Sequence, residues 1–137
     1  MTTSTQQPIL PRIGVGAVIL DDDRRILLVL RNRHPEAGTW SIPGGKVEPY
    51  ETLEQAVIRE IKEEVNLDVE IDRLLCTAET VSPETEEHWV SILYVVRIVG
   101  GTVQNREPDA LRDVQWFSLD ALPENLACFT VPVFEVL

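Results

Sequence analysis

With 137 residues, 44% of them hydrophobic, the chain is long enough to bury one real core and short for two. Its formal net charge of −11 disfavours a protein that tracks nucleic-acid phosphates, because such a protein needs a basic face. Small anionic substrates stay open, provided a divalent cation supplies positive charge.

The N-terminal MTTSTQQP has neither the charged n-region nor the apolar h-region of a signal peptide. It reads as part of a flexible tail over 1–11, ahead of a single domain over 12–137. The Ile13–Leu20 run IGVGAVIL is apolar at both alternating positions, which predicts a strand buried on both faces. DDDRR then turns the chain, and Ile26–Arg31 returns as a second strand. After the loop NRHPEAG, Thr39–Ile42 forms a short strand that Pro43, Gly44 and Gly45 are expected to stop. Thr52–Val65 reads as a helix, with Thr52 and Gln55 spaced as a capping box and Asn66 as a left-handed terminator. Asp68–Val81 and the β-branched Trp89–Val99 read as strands separated by the loop SPETEEH. A polar excursion leads to a last strand, Val114–Leu119, and VPVFEVL suggests a short helix with Pro132 in its first turn. Strands flanking a helix, with buried faces, give an α/β sandwich around a mixed sheet. No apolar run approaches the roughly 18 residues of a membrane helix. Cys76 and Cys128 lack zinc or disulfide-framework spacing, so a reducing cytoplasm is the expected location.

The chemistry concentrates on the helix. At 100° per residue, Leu53, Val57, Ile58, Ile61 and Val65 form an apolar arc. Glu60, Glu63 and Glu64 fall within about 100° of one another, overlapping that arc's edge. Carboxylates held together near an apolar surface resist joint ionisation. A hard divalent cation reverses that repulsion, since Mg²⁺ takes carboxylate oxygens and water and shares itself with substrate phosphates. The alternative is a solvated acidic face. The adjoining Pro-Gly-Gly loop, which lets the backbone approach a ligand closely, argues against that alternative.

From Gly45 the sequence runs through five residues to Glu51, seven more to Arg59-Glu60, and on to Ile61, Lys62, Glu63-Glu64, Val65, Asn66 and Leu67. This spacing closely resembles the Nudix box, Gly-x5-Glu-x7-Arg-Glu-U-x-Glu-Glu-x-Gly-U, with U a bulky aliphatic residue. One defined position departs: Asn66 stands where the family has Gly. Asn is the next residue to tolerate left-handed geometry, so the turn is expected to survive. The resemblance extends over GVGAVIL, GTWSIPGGKVE and EPDALRDVQWFSLDALPENL toward the MutT-like branch.

The resemblance implies an α/β/α sandwich and a hydrolase of a nucleoside diphosphate linked to another group. It implies that Glu60, Glu63 and Glu64 ligate Mg²⁺, with Mn²⁺ as a substitute, and that the Gly44 carbonyl adds a ligand beside Gly45. Glu51 is implied as a supporting acid and Arg59 as the base that orients the glutamates. Glu107 is the candidate for a further late-loop ligand, with Glu86 and Glu87 as competitors. Arg31 and Arg33 could grip phosphates by bidentate hydrogen bonds. Trp40 and His88 are weaker substrate-contact candidates, Trp40 being more often a core residue than a base-stacking platform. Ligand and general base cannot be told apart among Glu63 and Glu64 from sequence.

The reaction expected is metal-assisted attack of water on a (deoxy)nucleoside triphosphate, giving the monophosphate and pyrophosphate. The competing substrate is ADP-ribose or another nucleoside-diphosphate derivative, for which Pro83, some fifteen residues past the box, is the clue. A catalytically silent nucleotide-binding module is disfavoured because the box glutamates are all present. The expected partner is a small nucleotide, with neither nucleic-acid polymer nor membrane. A homodimer is compatible with the chain, which carries no signature for one.

Overall fold

The two-residue alternation of the first strand organises the molecule. The computed structural model describes residues 9–137. In β1 (Arg12–Ile19) every residue from Gly14 onward is buried. Val15, Ala17 and Ile19 pack with Leu27 and Val29 of β2 (Arg25–Arg31) against the apolar face of α1 (Leu53–Val65). Val18 joins Ile26 and Leu28 in a second cluster with Val133 of α2 (Val133–Val136). Adjacent residues of one strand thus feed two cores on opposite faces, which is what a strand apolar at every position requires. The result is the expected α/β/α sandwich. Burial of a residue such as Ile61, which is 0% exposed, contributes about 1.5–3 kcal/mol.

Among the described residues seven strands form two sheets. One has the order β4-β1-β6-β5, built from β4 (Gly44–Lys46), β5 (Leu67–Ser82) and β6 (Glu87–Gly101) around β1. Its β1–β6 pair is parallel and its other pairs antiparallel, so the sheet is mixed. The other sheet is antiparallel, with β2 between β3 (Trp40–Ser41) and β7 (Leu111–Ser118). No helix among the described residues is long and apolar enough to cross a membrane.

Several local expectations are corrected. The short strand does end ahead of Pro43, at Ser41, but Gly44 and Gly45 are not loop: they open β4 and pair with Gly16 and Val15 of β1. A Cβ on Gly44 would lie 2.0 Å from the Val15 carbonyl oxygen, so glycine here permits close pairing. Ile58 is 41% exposed and does not face the sheet, whereas Ala56 is buried in its stead. β7 begins at Leu111 rather than Val114, shortening the polar excursion, and Pro132 occupies the N-cap of α2 rather than its first turn. Residues 9–11 are exposed coil, and the rest of the expected tail lies outside the described residues.

The caps of α1 follow the sequence reading. The Gln55 amide donates to Thr52 Oγ1 at 3.1 Å, and the Thr52 amide donates to Gln55 Oε1 at 3.0 Å. At the other end Asn66 is left-handed, with φ 64° and ψ 29°. Its side chain also does something glycine could not. Nδ2 donates to the Thr102 carbonyl at 3.0 Å, and Oδ1 accepts from Arg106 Nη1 at 3.1 Å. Asn66→Gly therefore relieves positive-φ cost but loses two tethers, and a near-neutral change in melting temperature is expected. Asn66→Val incurs the left-handed penalty of about 1–2 kcal/mol and loses the same tethers. A Val variant that melts with the wild-type chain would show that this turn relaxes freely.

Candidate active site

Residues 104–107 reach the helix through backbone hydrogen bonds. The Gln104 amide donates to the Val65 carbonyl at 3.0 Å, and the Arg106 amide to the Glu64 carbonyl at 2.9 Å. These bonds satisfy carbonyls that the end of α1 leaves without helical partners. They also carry Glu107 toward the acids of the helix, where its charge acts on both Glu60 and Glu64. Glu86 and Glu87 sit instead around the β5–β6 connection, with Glu87 accepting from Trp89 Nε1 at 2.7 Å.

The three helix glutamates occupy graded depths. Glu64 is 6% exposed and accepts from the Gly44 amide at 2.7 Å. Burial pushes its carboxyl well above the usual range, and the charges of Glu60 and Glu107 push the same way. Glu60 is half-buried. Burial raises it too, against the opposing hydrogen bond from Arg59. Glu63 is the most exposed of the three. Glu60 lies over Gly45, where a Cβ would come 2.3 Å from its carboxyl carbon.

Arg59 binds this acidic edge together. Its Nε and Nη2 hold the two oxygens of Glu51 at 2.6 and 2.9 Å, and Nη1 reaches Glu60 at 2.8 Å and Glu63 at 3.1 Å. Nη2 also donates to the Lys46 carbonyl at 3.0 Å, tying helix to β4. The two-pronged Arg59 hydrogen bond takes the Glu51 carboxyl down to about 2. Its other oxygen partner, the Glu48 amide, fixes the turn before α1.

Among the described residues no three acid, histidine or cysteine side chains converge on one point at ligation distance. Arg59 and the Gly44 amide each hold part of the acidic set aside. The donors still suit a hard divalent cation. Glu64 is buried with one neutral hydrogen bond and like-charged neighbours, and the glycine beside Glu60 leaves that carboxylate room.

A pocket of about 230 Å³ opens between the two sheets. Gly44, Gly45, Lys46 and Glu64 form its acidic and cationic end, and Arg31 and Arg33 also line it. Arg31 is set by its Nε bond to the Pro35 carbonyl at 2.7 Å and lies over the Phe129 ring at 5.5 Å. Burial pulls its guanidinium below the usual value.

Trp40 and His88 do not line this pocket. Trp40 packs edge-to-face on Phe117 at 4.8 Å in the second core, on the opposite side of β3 from Ser41. The wall contains Trp89 and Phe129, with the hydroxyls Ser41, Thr80 and Ser91 and the imidazole of His34. Trp89 and Ser91 sit two apart on β6 and so share a face, a signal available in the sequence. Phe129 arrives from irregular chain and had none.

The NUDIX domain family matches residues 10–135. A crystal structure of a MutT NUDIX hydrolase from Burkholderia pseudomallei superposes with TM-score 0.87 and 42% identity, covering 93% of this chain and 98% of that one. An ADP-ribose pyrophosphatase of Methanocaldococcus jannaschii is 34% identical over 83% of this chain and 66% of its own length. A human 8-oxo-dGDP phosphatase is 33% identical over 82% of this chain, which spans only 34% of that relative.

Proposed function

The chain belongs to the NUDIX domain family, and from that premise we propose that it is a Mg²⁺-dependent pyrophosphohydrolase that cleaves a (deoxy)nucleoside triphosphate to the monophosphate and pyrophosphate. The observation that carries the triphosphate reading is the set of three cationic side chains, Arg31, Arg33 and Lys46, in one pocket that also contains Glu64. A triphosphate brings more negative charge to such a site than the two phosphates of a nucleoside diphosphate ester. Arginine can grip phosphoryl oxygens in bidentate fashion. The resemblance of the flanking segments to the MutT-like branch agrees, as does similarity to the Burkholderia structure.

In this reading Glu60, Glu63 and Glu64 hold the metal, with the Gly44 carbonyl and Glu107 completing the set. A bound Mg²⁺ supplies charge to the phosphoryl oxygens and lowers the pKa of bound water. Arg59 holds Glu60 and Glu63 in orientation through Nη1. Glu51 serves as the fixed anchor of Arg59, its carboxylate charged at any working pH. Glu63, the most exposed of the helix glutamates, can give up its Arg59 contact and accept a proton from water. Arg31 and Arg33 steer the phosphate chain. Mn²⁺ substitutes for Mg²⁺, and the setting is a reducing cytoplasm, in keeping with the free thiols of Cys76 and Cys128.

A second reading, a nucleoside-diphosphate-ester pyrophosphatase, has the Methanocaldococcus relative in its favour. Product analysis over the common, pyrimidine and oxidised-purine triphosphates, alongside ADP-ribose, separates the two. The triphosphate reading expects a higher kcat/KM for at least one triphosphate, with pyrophosphate released. Faster conversion of ADP-ribose to AMP and ribose phosphate than of every triphosphate would give the second reading the site.

Glu107→Gln isolates the late loop's share. It is expected to raise the Mg²⁺ concentration for half-maximal rate while leaving the melting temperature of metal-free protein nearly unchanged. An unaltered Mg²⁺ titration would return the role to Glu86 or Glu87, or remove it from the protein.

A further inference from the structure

We propose that Ser41 is a specificity-determining residue, whose hydroxyl hydrogen-bonds the polar edge of the nucleobase that enters this pocket. The inference rests on the nucleotide-hydrolase reading above, though not on which linkage is cut.

Ser41 is 0% exposed, and its Oγ is the one fully buried side-chain polar atom without a hydrogen-bond partner among the described residues. A hydroxyl in that position costs stability, because its lost hydration is not replaced. Its surroundings offer nothing to replace it. On the ladder it faces Val29, and Ile42 follows it in sequence. Those apolar neighbours line the same pocket, as does Ser41 itself. An uncommitted donor and acceptor at the wall of a cavity is a group that a ligand can complete.

The rest of the wall selects the kind of ligand. Phosphates belong with Arg31, Arg33, Lys46 and the Glu64 end. What remains is mostly apolar and aromatic, Trp89, Phe129, Leu111 and Ile42, with His34, Thr80 and Ser91 among them. Trp89 is held in place, its Nε1–H donating to Glu87 at 2.7 Å and its ring covered by the Arg12 guanidinium at 5.5 Å. Thr80 is already engaged with Cys128 Sγ at 3.4 Å. A flat heteroaromatic ring with two π-faces and a polar edge matches that wall, with stacking surface from the aromatics and, for the edge, the buried Ser41 hydroxyl alongside the less buried one of Ser91. A site that hydrogen-bonds a substrate group discriminates against analogues lacking it, because the buried partner is otherwise left unpaired.

Nucleoside monophosphates test this independently of the reaction, since cleavage of a triphosphate and of a nucleoside-diphosphate ester both yield one. Binding of the ribo- and deoxyribonucleoside monophosphates of each common base is measured in Mg²⁺ for the wild-type chain and for Ser41→Ala, by thermal shift and by inhibition of turnover. The wild-type chain is expected to prefer at least one base by about tenfold, and Ser41→Ala to erase that preference. The ligand-free Ser41→Ala protein is expected to melt at or above the wild-type temperature, because an unpaired buried hydroxyl is gone. A merely structural serine would not move base preference. The proposal is overturned if the wild-type chain shows no base preference or Ser41→Ala keeps it. It is equally overturned if the variant loses only a ribose-versus-deoxyribose preference, or if it melts lower and so shows that the hydroxyl was already satisfied. Should ADP-ribose outrun every triphosphate while Ser41→Ala still loses base preference, the triphosphate reading fails and this one stands.

Discussion

Glu64→Gln is expected to lower turnover by about 10²–10⁴-fold while making metal-free protein more stable at pH 8. Gln keeps the volume of the buried side chain and can still accept from the Gly44 amide, the contact Glu64 makes at 2.7 Å. It removes a charge that burial opposes and that Glu60 and Glu107 oppose further. The sign of the pH effect follows. The folded-state carboxyl is raised, so the native chain binds this proton more tightly than the unfolded chain. Wild-type metal-free stability therefore falls as pH climbs from the ordinary carboxylate value of about 4.5 through the raised one. Glu51 runs the other way. Its carboxyl is held down to about 2, so its stabilisation is lost only in acid, as pH falls from the ordinary range through that value. Between pH 5 and 8 the Glu64 slope is thus uncompensated by Glu51. Melting curves at pH 5 and pH 8, with and without Mg²⁺, are the measurement. The wild-type chain should lose stability at pH 8 and recover it with Mg²⁺; the Gln variant should show a flatter response and a smaller gain from metal. Parallel curves for the two proteins would show that Glu64 carries no such strain.

Gly44→Ala and Gly45→Ala should fail in different ways. At Gly44 a Cβ meets backbone, 2.0 Å from the Val15 carbonyl oxygen and 2.8 Å from Gly16 Cα, so the β1–β4 pair must separate. A loss of about 3 kcal/mol or more is expected, enough to compromise soluble expression. At Gly45 the obstacle is the Glu60 carboxylate, at 2.3 to 2.6 Å. That group ends a flexible side chain and can swing away, so the fold should survive. Activity should not, because Glu60 leaves the position that Arg59 holds at 2.8 Å. Gly45→Ala is expected to melt within a few degrees of the wild-type chain and to lose at least about tenfold in kcat/KM. An active Gly45→Ala enzyme would remove Glu60 from the metal set.

The helix and its acids were readable because their signals are local. Thr52 and Gln55 cap over three residues, Asn66 ends the helix by its own backbone preference, and a fixed period places Glu60 and Glu64 on one side. The relation between the sheets was less so. Gly44 and Gly45 look like breakers until β1 is known to run beside them. Ile58 falls within the predicted apolar arc and is nonetheless exposed, because whether an arc's edge is covered depends on neighbours from elsewhere in the chain. The pocket wall was the least legible part. Trp40 and Ser41 are consecutive, so they face opposite ways, and only the pairing of β3 with β2 decides which one enters the core and which the cavity. The larger aromatic was the natural candidate, and the serine took the place. Phe129 joins Arg31 across almost a hundred residues of sequence through irregular chain, with no periodicity to announce it.

The two amides of Gln104 and Arg106 that clasp the end of α1 make chain length unequal in its consequences. Everything from Leu67 to Gly101 leaves the helix and returns beside it, since Leu67 and Gly101 are ladder partners. Residues added at the far tip of that excursion, around Pro83–Thr85, lengthen a hairpin without moving its base. Residues added between Gly101 and Glu107 would slide the clasp and shift Glu107 away from Glu64. The first place is open ground for grafting a peptide or a label, and the second is a ruler whose length is set by the site.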